Sequence, residues 1–226
     1  MKKEKDYLGS EKITKLLLSF ALPSMIGMLV NSLYNIVDQI SIGWGVGYLG
    51  NAATSIIFPL NMVCLAFALM LGDGASAYLS IKLWEHKDKE AGAGVSTEII
   101  TSIIFSVIIT ALIIIFLLQL VNVFGCTKAI RPYALSYRLF IALGFPFMMI
   151  GTSLNSLIRT DGSPKYAMKS MIVGVALNCI LDPICIFVLK WGVEEAAVAT
   201  LVAQFASFLI NILYIRKFVC LVYQAW

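Results

Sequence analysis

The sequence predicts an all-α membrane protein with six transmembrane helices and both termini in the cytoplasm. Of its 226 residues, 60% are hydrophobic and only 13% are charged, and the mean hydropathy is +0.89. Soluble domains carry about 25% charged residues, so this composition excludes an ordinary soluble protein. The net charge of +4 is unevenly spread along the chain. It therefore concerns orientation in a membrane, and we expect no nucleic-acid partner.

Six apolar segments are each long enough to cross a bilayer, which takes about 20 residues. They comprise residues 14–42, 52–81, 95–120, 134–158, 166–189 and 196–217. No linker divides them, so residues 1–226 are predicted to be a single six-helix lobe. Most connections are short, whereas residues 82–94 and 121–133 are predicted to be longer loops. The first segment is too long for a signal peptide and lacks a small-residue cleavage site.

The distribution of Lys and Arg predicts the orientation of these helices. Thirteen of these residues lie at segment ends on the side of the N-terminus. The opposite side carries only Lys128, Arg131 and Lys190, while Arg138 is ambiguous. Because cytoplasmic loops are enriched in Lys and Arg, both termini are predicted to be cytoplasmic.

Two carboxylates, Asp38 and Asp182, lie within the apolar segments. A charged side chain at membrane depth costs at least about 2.5 kcal/mol, so such residues are functional candidates. Asn35 precedes Asp38 by three residues and Asn178 precedes Asp182 by four, which puts each amide on the same helical face as its carboxylate. Counting residues along the two helices places both acids in the outer half of the bilayer. We expect them to form one small polar pocket.

The pocket is suited to a proton or to a cation. Burial disfavours the charged form of a carboxylate, and a second carboxylate nearby disfavours it further, so the pair can take up and release a proton. Beside amide oxygens, it can instead bind a sodium ion through hard oxygen ligands. In the structural alternative, each acid only hydrogen-bonds a neighbouring helix, or Asp38 reaches the outer interface. Asp73, between two glycines, is either structural or a secondary part of the site.

Pro23 and Gly27 in the first segment predict a possible hinge. Such residues interrupt helical hydrogen bonding and permit bending, although transmembrane helices also tolerate them without a functional reason. The five cysteines show no paired spacing, so neither a disulfide framework nor a metal site is predicted beyond a possible sodium ion. No catalytic, phosphate-loop or dinucleotide motif is found. We therefore expect neither an enzyme nor an organic cofactor.

Several motifs resemble those of the multidrug and toxic compound extrusion (MATE) transporters of the MOP superfamily. They are LLLSFALPSMIGMLVNSLYNIVDQISIG, GVGYLGNAATSIIFPL, GDGASAYLSIKLWE, GTSLNSLIRTDGSPKYAM, GVALNCILDPICIF and GVEEAAVATLVAQ. They follow one another in the family's order through nearly the whole chain, and the similarity is greatest to the DinF-like branch. One departure is LWEH, where related sequences often have LGEG.

The resemblance implies an antiporter that uses a proton or sodium gradient to export amphipathic, often cationic, drugs. It also implies that the coupling ion is bound by Asp38, Asn155, Asn178, Asp182 and Thr200. The family has twelve helices in two lobes, so this chain corresponds to the N-terminal lobe of a half or truncated transporter. We expect it to lie among the lipids of a bacterial plasma membrane. It would pair there with a second six-helix lobe, either a C-terminal half or another copy of itself.

Other functions remain open from the sequence. One is a flippase for lipid-linked oligosaccharides of the same superfamily, which would need a more cationic cavity. Another is a channel or structural membrane protein without gradient coupling. Ion-dependent drug efflux would distinguish the antiporter from both.

Overall fold

The computed structural model describes residues 12–127, 130–189 and 193–224. Within these residues the chain forms six α-helices and no β-strand, which confirms the predicted all-α class. The helices are α1 (Ile13–Gly45), α2 (Tyr48–Trp84), α3 (Asp88–Val123), α4 (Arg131–Thr160), α5 (Pro164–Pro183) and α6 (Val193–Gln224). A six-residue π-helix, Ile184–Leu189, continues α5.

The helices have the lengths and composition of a multi-pass membrane protein. Among the described residues, five stretches are long and apolar enough to cross a membrane; they lie on α1, α2, α3, α5 and α6. The remaining helix, α4, has 30 residues and is about 45 Å long at the usual helical rise. The side on which the termini lie remains a prediction. Many of the basic residues on which it depends, those before Lys12 together with Lys128 and Lys190, are outside the described residues.

The helices extend beyond the predicted apolar segments, and the long loop predicted over residues 82–94 is wrong. Residues up to Trp84 belong to α2 and α3 begins at Asp88, so the connection is a tight turn. His86 in this turn has a left-handed φ of 57°. Hydropathy detects the residues that suit lipid, whereas helical hydrogen bonding continues into the polar interface. Asp88 and Glu90 in the first turn of α3 suit its positive end.

The centre of the lobe is α4, which packs against α2, α3 and α6 and more lightly against α5. Apolar side chains between α2, α3 and α4 form one buried cluster, which includes Leu60, Ile113 and Met149. A second cluster, nearer the turn between α2 and α3, includes Leu79 and Leu154. These two clusters hold α2, α3, α5 and α6 in place around α4.

The first helix lies at the edge of the lobe and packs mainly against α5. Many of its large apolar side chains are exposed on the isolated chain, among them Leu22, Met25, Leu29 and Leu33. In a bilayer such side chains face lipid tails or another protein surface at no hydrophobic cost. Pro23 and Gly27, the predicted hinge residues, are buried on the opposite face, and Gly27 lies against Met171 of α5. The helix is continuous through both residues.

Candidate functional site

Asp38 on α1 and Asp182 on α5 meet inside the lobe. They are 9% and 0% exposed, respectively, and their carboxyl groups are within hydrogen-bonding reach of each other. No described group hydrogen-bonds the buried Oδ1 atom of Asp38. Two buried carboxyl groups in contact disfavour simultaneous ionisation. The pair therefore requires either a shared proton or a bound cation.

Asn178 joins Asp182 to the start of α6. It is buried and lies one helical turn before Asp182 on α5. In the amide orientation that satisfies both of its polar groups, its nitrogen donates to Oδ2 of Asp182. Its oxygen then accepts from the hydroxyl of Thr200 at 3.2 Å and from the backbone N–H of Thr200 at 3.3 Å. These bonds fix both the amide and the Asp182 carboxyl in one orientation.

Tyr34 extends this hydrogen-bonded chain back to α1. Its hydroxyl is within hydrogen-bonding reach of the hydroxyl of Thr200. Because Thr200 uses its single proton to donate to Asn178, the phenol of Tyr34 must be the donor in this contact. Hydrogen bonds therefore run from Tyr34 through Thr200 and Asn178 to Asp182. The chain joins α1, α6 and α5.

A second contact connects the pocket with α2. The side chain of Gln39 is within hydrogen-bonding reach of Asp38, and its Nε2 atom donates to Oγ1 of the buried Thr54 at 3.3 Å. Asp38 is thus held from two sides, by α5 through Asp182 and by α2 through Gln39. The pocket lies where four helices meet.

The backbone changes its form directly beside the pocket. Asp182 is followed by Pro183, which has no N–H to donate to the carbonyl of Cys179. From Ile184 to Leu189 the chain continues as a π-helix. Segments of π-helix are frequent at functional sites. Here the irregular stretch directly follows the carboxylate that pairs with Asp38.

The arrangement offers oxygen ligands and a proton site. The donors are two carboxyl groups, an amide oxygen and a threonine hydroxyl, which suit a hard cation such as Na⁺. The described residues contain no group of three or more His, Cys, Asp and Glu side chains that would hold a metal ion. The two carboxyl groups themselves are suited to a proton or to an alkali cation.

Asn155 does not lie with the other residues that the resemblance assigned to the site. Its amide donates to the carbonyl of Ala167 at 3.1 Å and to the hydroxyl of Ser170 at 3.2 Å. Ala167 precedes Asn178 by eleven residues on α5, which corresponds to roughly 16 Å along the helix. In this structure Asn155 joins α4 to the opposite half of α5.

The two secondary candidates are also outside the pocket. Asn35 is exposed, and its amide donates to the carbonyl of Asn31 on its own helix at 2.8 Å. A three-residue separation therefore did not bring it to the face of Asp38 that meets α5. Asp73 accepts a hydrogen bond from the Ser156 hydroxyl at 2.7 Å, which joins α2 to α4.

Two polar residues were missed by the sequence reasoning. Tyr34 lies four residues before Asp38, so helical spacing alone would have placed it on the pocket face. Glu98 lies within the apolar segment 95–120 and is only 5% exposed. The intramembrane-charge criterion that selected Asp38 applies equally to Glu98.

Long apolar helices around a buried carboxylate pocket are features of a membrane transporter. The sequence pattern of the MatE family matches residues 23–184. The chain therefore belongs to the MatE family of transporters, whose members are not enzymes.

Relatives and solved structures agree with this assignment. The chain is 30% identical over 216 residues to the multidrug export protein MepA of Staphylococcus haemolyticus, a match that covers 93% of this chain and 47% of that protein. A MATE crystal structure in complex with MaD3S superimposes with a TM-score of 0.84 at 30% identity, over 89% of this chain and 45% of that one. An outward-facing MATE transporter of the MOP superfamily has a TM-score of 0.83 at 30% identity, over 89% and 44%. The chain thus spans about half the length of these proteins.

Proposed function

We propose that this chain is the N-terminal lobe of a cation-coupled antiporter that exports amphipathic cationic drugs across a bacterial plasma membrane. We further propose that Asp38 and Asp182 bind the coupling ion, which is H⁺ or Na⁺. The observation that carries the proposal is the contact between these two buried carboxyl groups, contributed by different helices. No such pair is needed to hold a membrane bundle together, because apolar packing does so at lower cost.

The hydrogen-bonded surroundings of the pair support an ion site. Asn178 and Thr200 orient the Asp182 carboxyl, while Gln39 contacts the Asp38 carboxyl. The unpartnered Oδ1 atom of Asp38 leaves one strong acceptor for a proton or a cation. Binding either one removes the repulsion between the acids. Removing the ion restores the repulsion, so the distance between α1 and α5 depends on occupancy.

The position of α1 suggests how ion binding drives transport. This helix is held mainly by α5, and the proposed hinge at Pro23 and Gly27 separates its first turns from the part that carries Asp38. Ion binding at the pocket would bend α1 and alter the surface that faces the drug. One elementary charge that crosses a potential of 100 mV supplies about 2.3 kcal/mol. That energy is comparable to several interhelical hydrogen bonds in a membrane.

We propose a second lobe because the similarity to MepA covers only about half of that protein. The match covers 47% of that protein, and the exposed apolar face of α1 is available to another six-helix unit. The partner would be a C-terminal half or a second copy of this chain. Two such lobes would enclose the drug between them.

The test is gradient-driven efflux of the fluorescent cation ethidium from cells that produce the chain. The chain is tested alone and together with the C-terminal half of the S. haemolyticus relative. We expect Asp38→Asn and Asp182→Asn each to abolish gradient-dependent efflux, because an amide neither releases a proton nor supplies a charged ligand. Collapsing the proton gradient and removing Na⁺, in separate experiments, identify the coupling ion.

Glu90→Gln is the matched control. It makes the same carboxyl-to-amide change at an exposed position, where Glu90 pairs with Lys82 at 2.7 Å. Exposed ion pairs contribute little, so efflux should be unchanged. Wild-type efflux that persists in both aspartate variants, at equal amounts of protein in the membrane, would refute the proposed ion site.

A further inference from the structure

Glu98 is a third buried carboxyl group, and the antiporter proposal does not use it. It lies on α3 and is 5% exposed. The hydroxyl of Ser102, one turn along the same helix, donates to its Oε1 atom at 2.5 Å. The hydroxyl of Ser153 on α4 donates to the same oxygen. The other carboxyl oxygen, Oε2, is buried and has no hydrogen-bond partner in the described part of the chain.

The unequal hydrogen bonding of the two Glu98 carboxyl oxygens is typical of a neutral acid. A carboxylate spreads its charge over two oxygens, and both then require donors. In a neutral acid one oxygen is a carbonyl that accepts and the other carries the proton. Oε1 accepts two hydroxyl hydrogen bonds, as a carbonyl does, whereas Oε2 receives none. The proton therefore belongs on Oε2.

Among the residues that the structure describes, no cation lies close enough to compensate a charge on Glu98. Its described neighbours within hydrogen-bonding distance are serines, and it has no ion-pair partner within 4.0 Å among the described residues. On α2, Asp73 bonds Ser156 and Lys82 pairs with Glu85 and Glu90. On α4, Arg159 also donates to Ser156. On α6, Arg216 is exposed.

We propose that Glu98 is a second proton-binding site of the lobe, separate from the Asp38/Asp182 pocket. It lies toward the opposite end of the bundle. Its partner Ser153 is close in sequence to Asn155, which contacts Ser170 on α5. Ser170 and Asp182 are twelve residues apart, or roughly 18 Å along the helix. The lobe thus holds one carboxyl site near each end.

Polar groups connect this site with the lobe surface. Ser156 lies one turn beyond Ser153 on α4, and its hydroxyl donates to the exposed Asp73. Glu98, Ser153, Ser156 and Asp73 thus lie in a row from the buried acid to the outside of the bundle, and in the described structure no hydrogen bond joins Ser153 to Ser156.

The test is infrared spectroscopy of the full chain in lipid nanodiscs at neutral pH, in an Asp38→Asn/Asp182→Asn background. Both pocket acids are then amides, so the result does not depend on the proposed coupling site. We expect a carbonyl band of a protonated carboxylic acid that disappears when Glu98→Gln is added. The band should shift to lower frequency in D₂O because the proton exchanges. Glu90→Gln, an exposed change on the same helix, should leave the band intact.

A further variant keeps the carboxyl group and so remains informative if Glu98→Gln fails to fold. Ser102→Ala removes one hydrogen bond to the carbonyl oxygen, which strengthens the C=O bond and moves the band to higher frequency. Absence of an acid band in the background variant would show that Glu98 is ionised and would overturn the proposal. A carbonyl band whose intensity and frequency are unchanged by both Glu98→Gln and Ser102→Ala would also overturn the proposal.

Discussion

A glycine pair on α2 gives a sharp test of how closely this lobe is packed. Gly72 faces α4, where an added Cβ atom would lie 2.7 Å from the Cα atom and 2.9 Å from the carbonyl oxygen of Ser153. Gly74, two residues further, has no atom within 4 Å of the same hypothetical Cβ. The substitutions Gly72→Ala and Gly74→Ala therefore make one chemical change in two environments.

The expected magnitudes follow from two terms. Both substitutions gain about 0.8–1 kcal/mol of helix propensity, since alanine restricts the unfolded chain more than glycine does. Only Gly72→Ala overlaps with backbone atoms, which cannot rotate away, and overpacking of this kind costs about 1–3 kcal/mol. The propensity term cancels in the comparison. We therefore expect the free energy of unfolding of Gly72→Ala to be about 1–3 kcal/mol below that of Gly74→Ala.

The measurement is reversible unfolding of both variants in mixed micelles with increasing denaturing detergent, followed by circular dichroism. Gly74→Ala should be as stable as the wild type or slightly more stable. Equal free energies of unfolding for the two variants, within about 0.5 kcal/mol, would show that α2 and α4 do not cross as closely as described. The reasoning from the Gly72 contact would then be wrong.

Two further predictions separate the ion pocket from its structural surroundings. Thr200→Val removes the hydroxyl between Tyr34 and Asn178, and leaving buried partners unsatisfied costs about 1–3 kcal/mol. Ion-dependent ethidium efflux should therefore fall roughly tenfold or more, whereas Thr200→Ser should retain it. Equal efflux in the two variants would contradict the hydrogen-bonded chain. Asn155→Ala loses its bonds to α5 and should lower the free energy of unfolding by about 0.6–1.7 kcal/mol. The dependence of efflux on the coupling ion, measured per folded molecule, should not change. A changed dependence would show that Asn155 takes part in the proposed ion site.

Much of the fold was predictable because the bilayer limits what a chain can do. Lipid requires continuous apolar helices with internally satisfied backbones, so hydropathy located all six helices. It did not locate their ends. The turn at Glu85–Lys87 is formed by polar residues that hydropathy cannot distinguish from a loop, and ion pairs of Lys82 with Glu85 and Glu90 join the two helix ends there.

Only two properties of the site could be predicted from the sequence: the depth of each residue in the bilayer and the helical face on which it lies. Those two properties placed Asp38 and Asp182 at a shared level, and the structure brings them into contact. Which turn of α4 meets which turn of α5 depends on interhelical packing, so the sequence did not reveal that Asn155 contacts Ala167 and Ser170. The face on which Asn35 lies was misjudged for a similar reason. A separation of three residues spans about 60° around a helix, enough to leave one side chain exposed.

The weak packing of α1 explains why the pocket would control it. In a membrane no hydrophobic effect drives helices together, so they are held by close van der Waals packing and by interhelical hydrogen bonds that contribute on average about 0.6 kcal/mol each. The helix α1 packs mainly on α5, with Gly27 against Met171 at one level and the pocket at another. The polar contacts of Tyr34, Gln39 and Asp38 are therefore a large share of what holds its outer part. We expect repulsion between two ionised carboxylates to offset these contacts, so that loss of the ion frees α1 while α2 to α6 stay packed around α4.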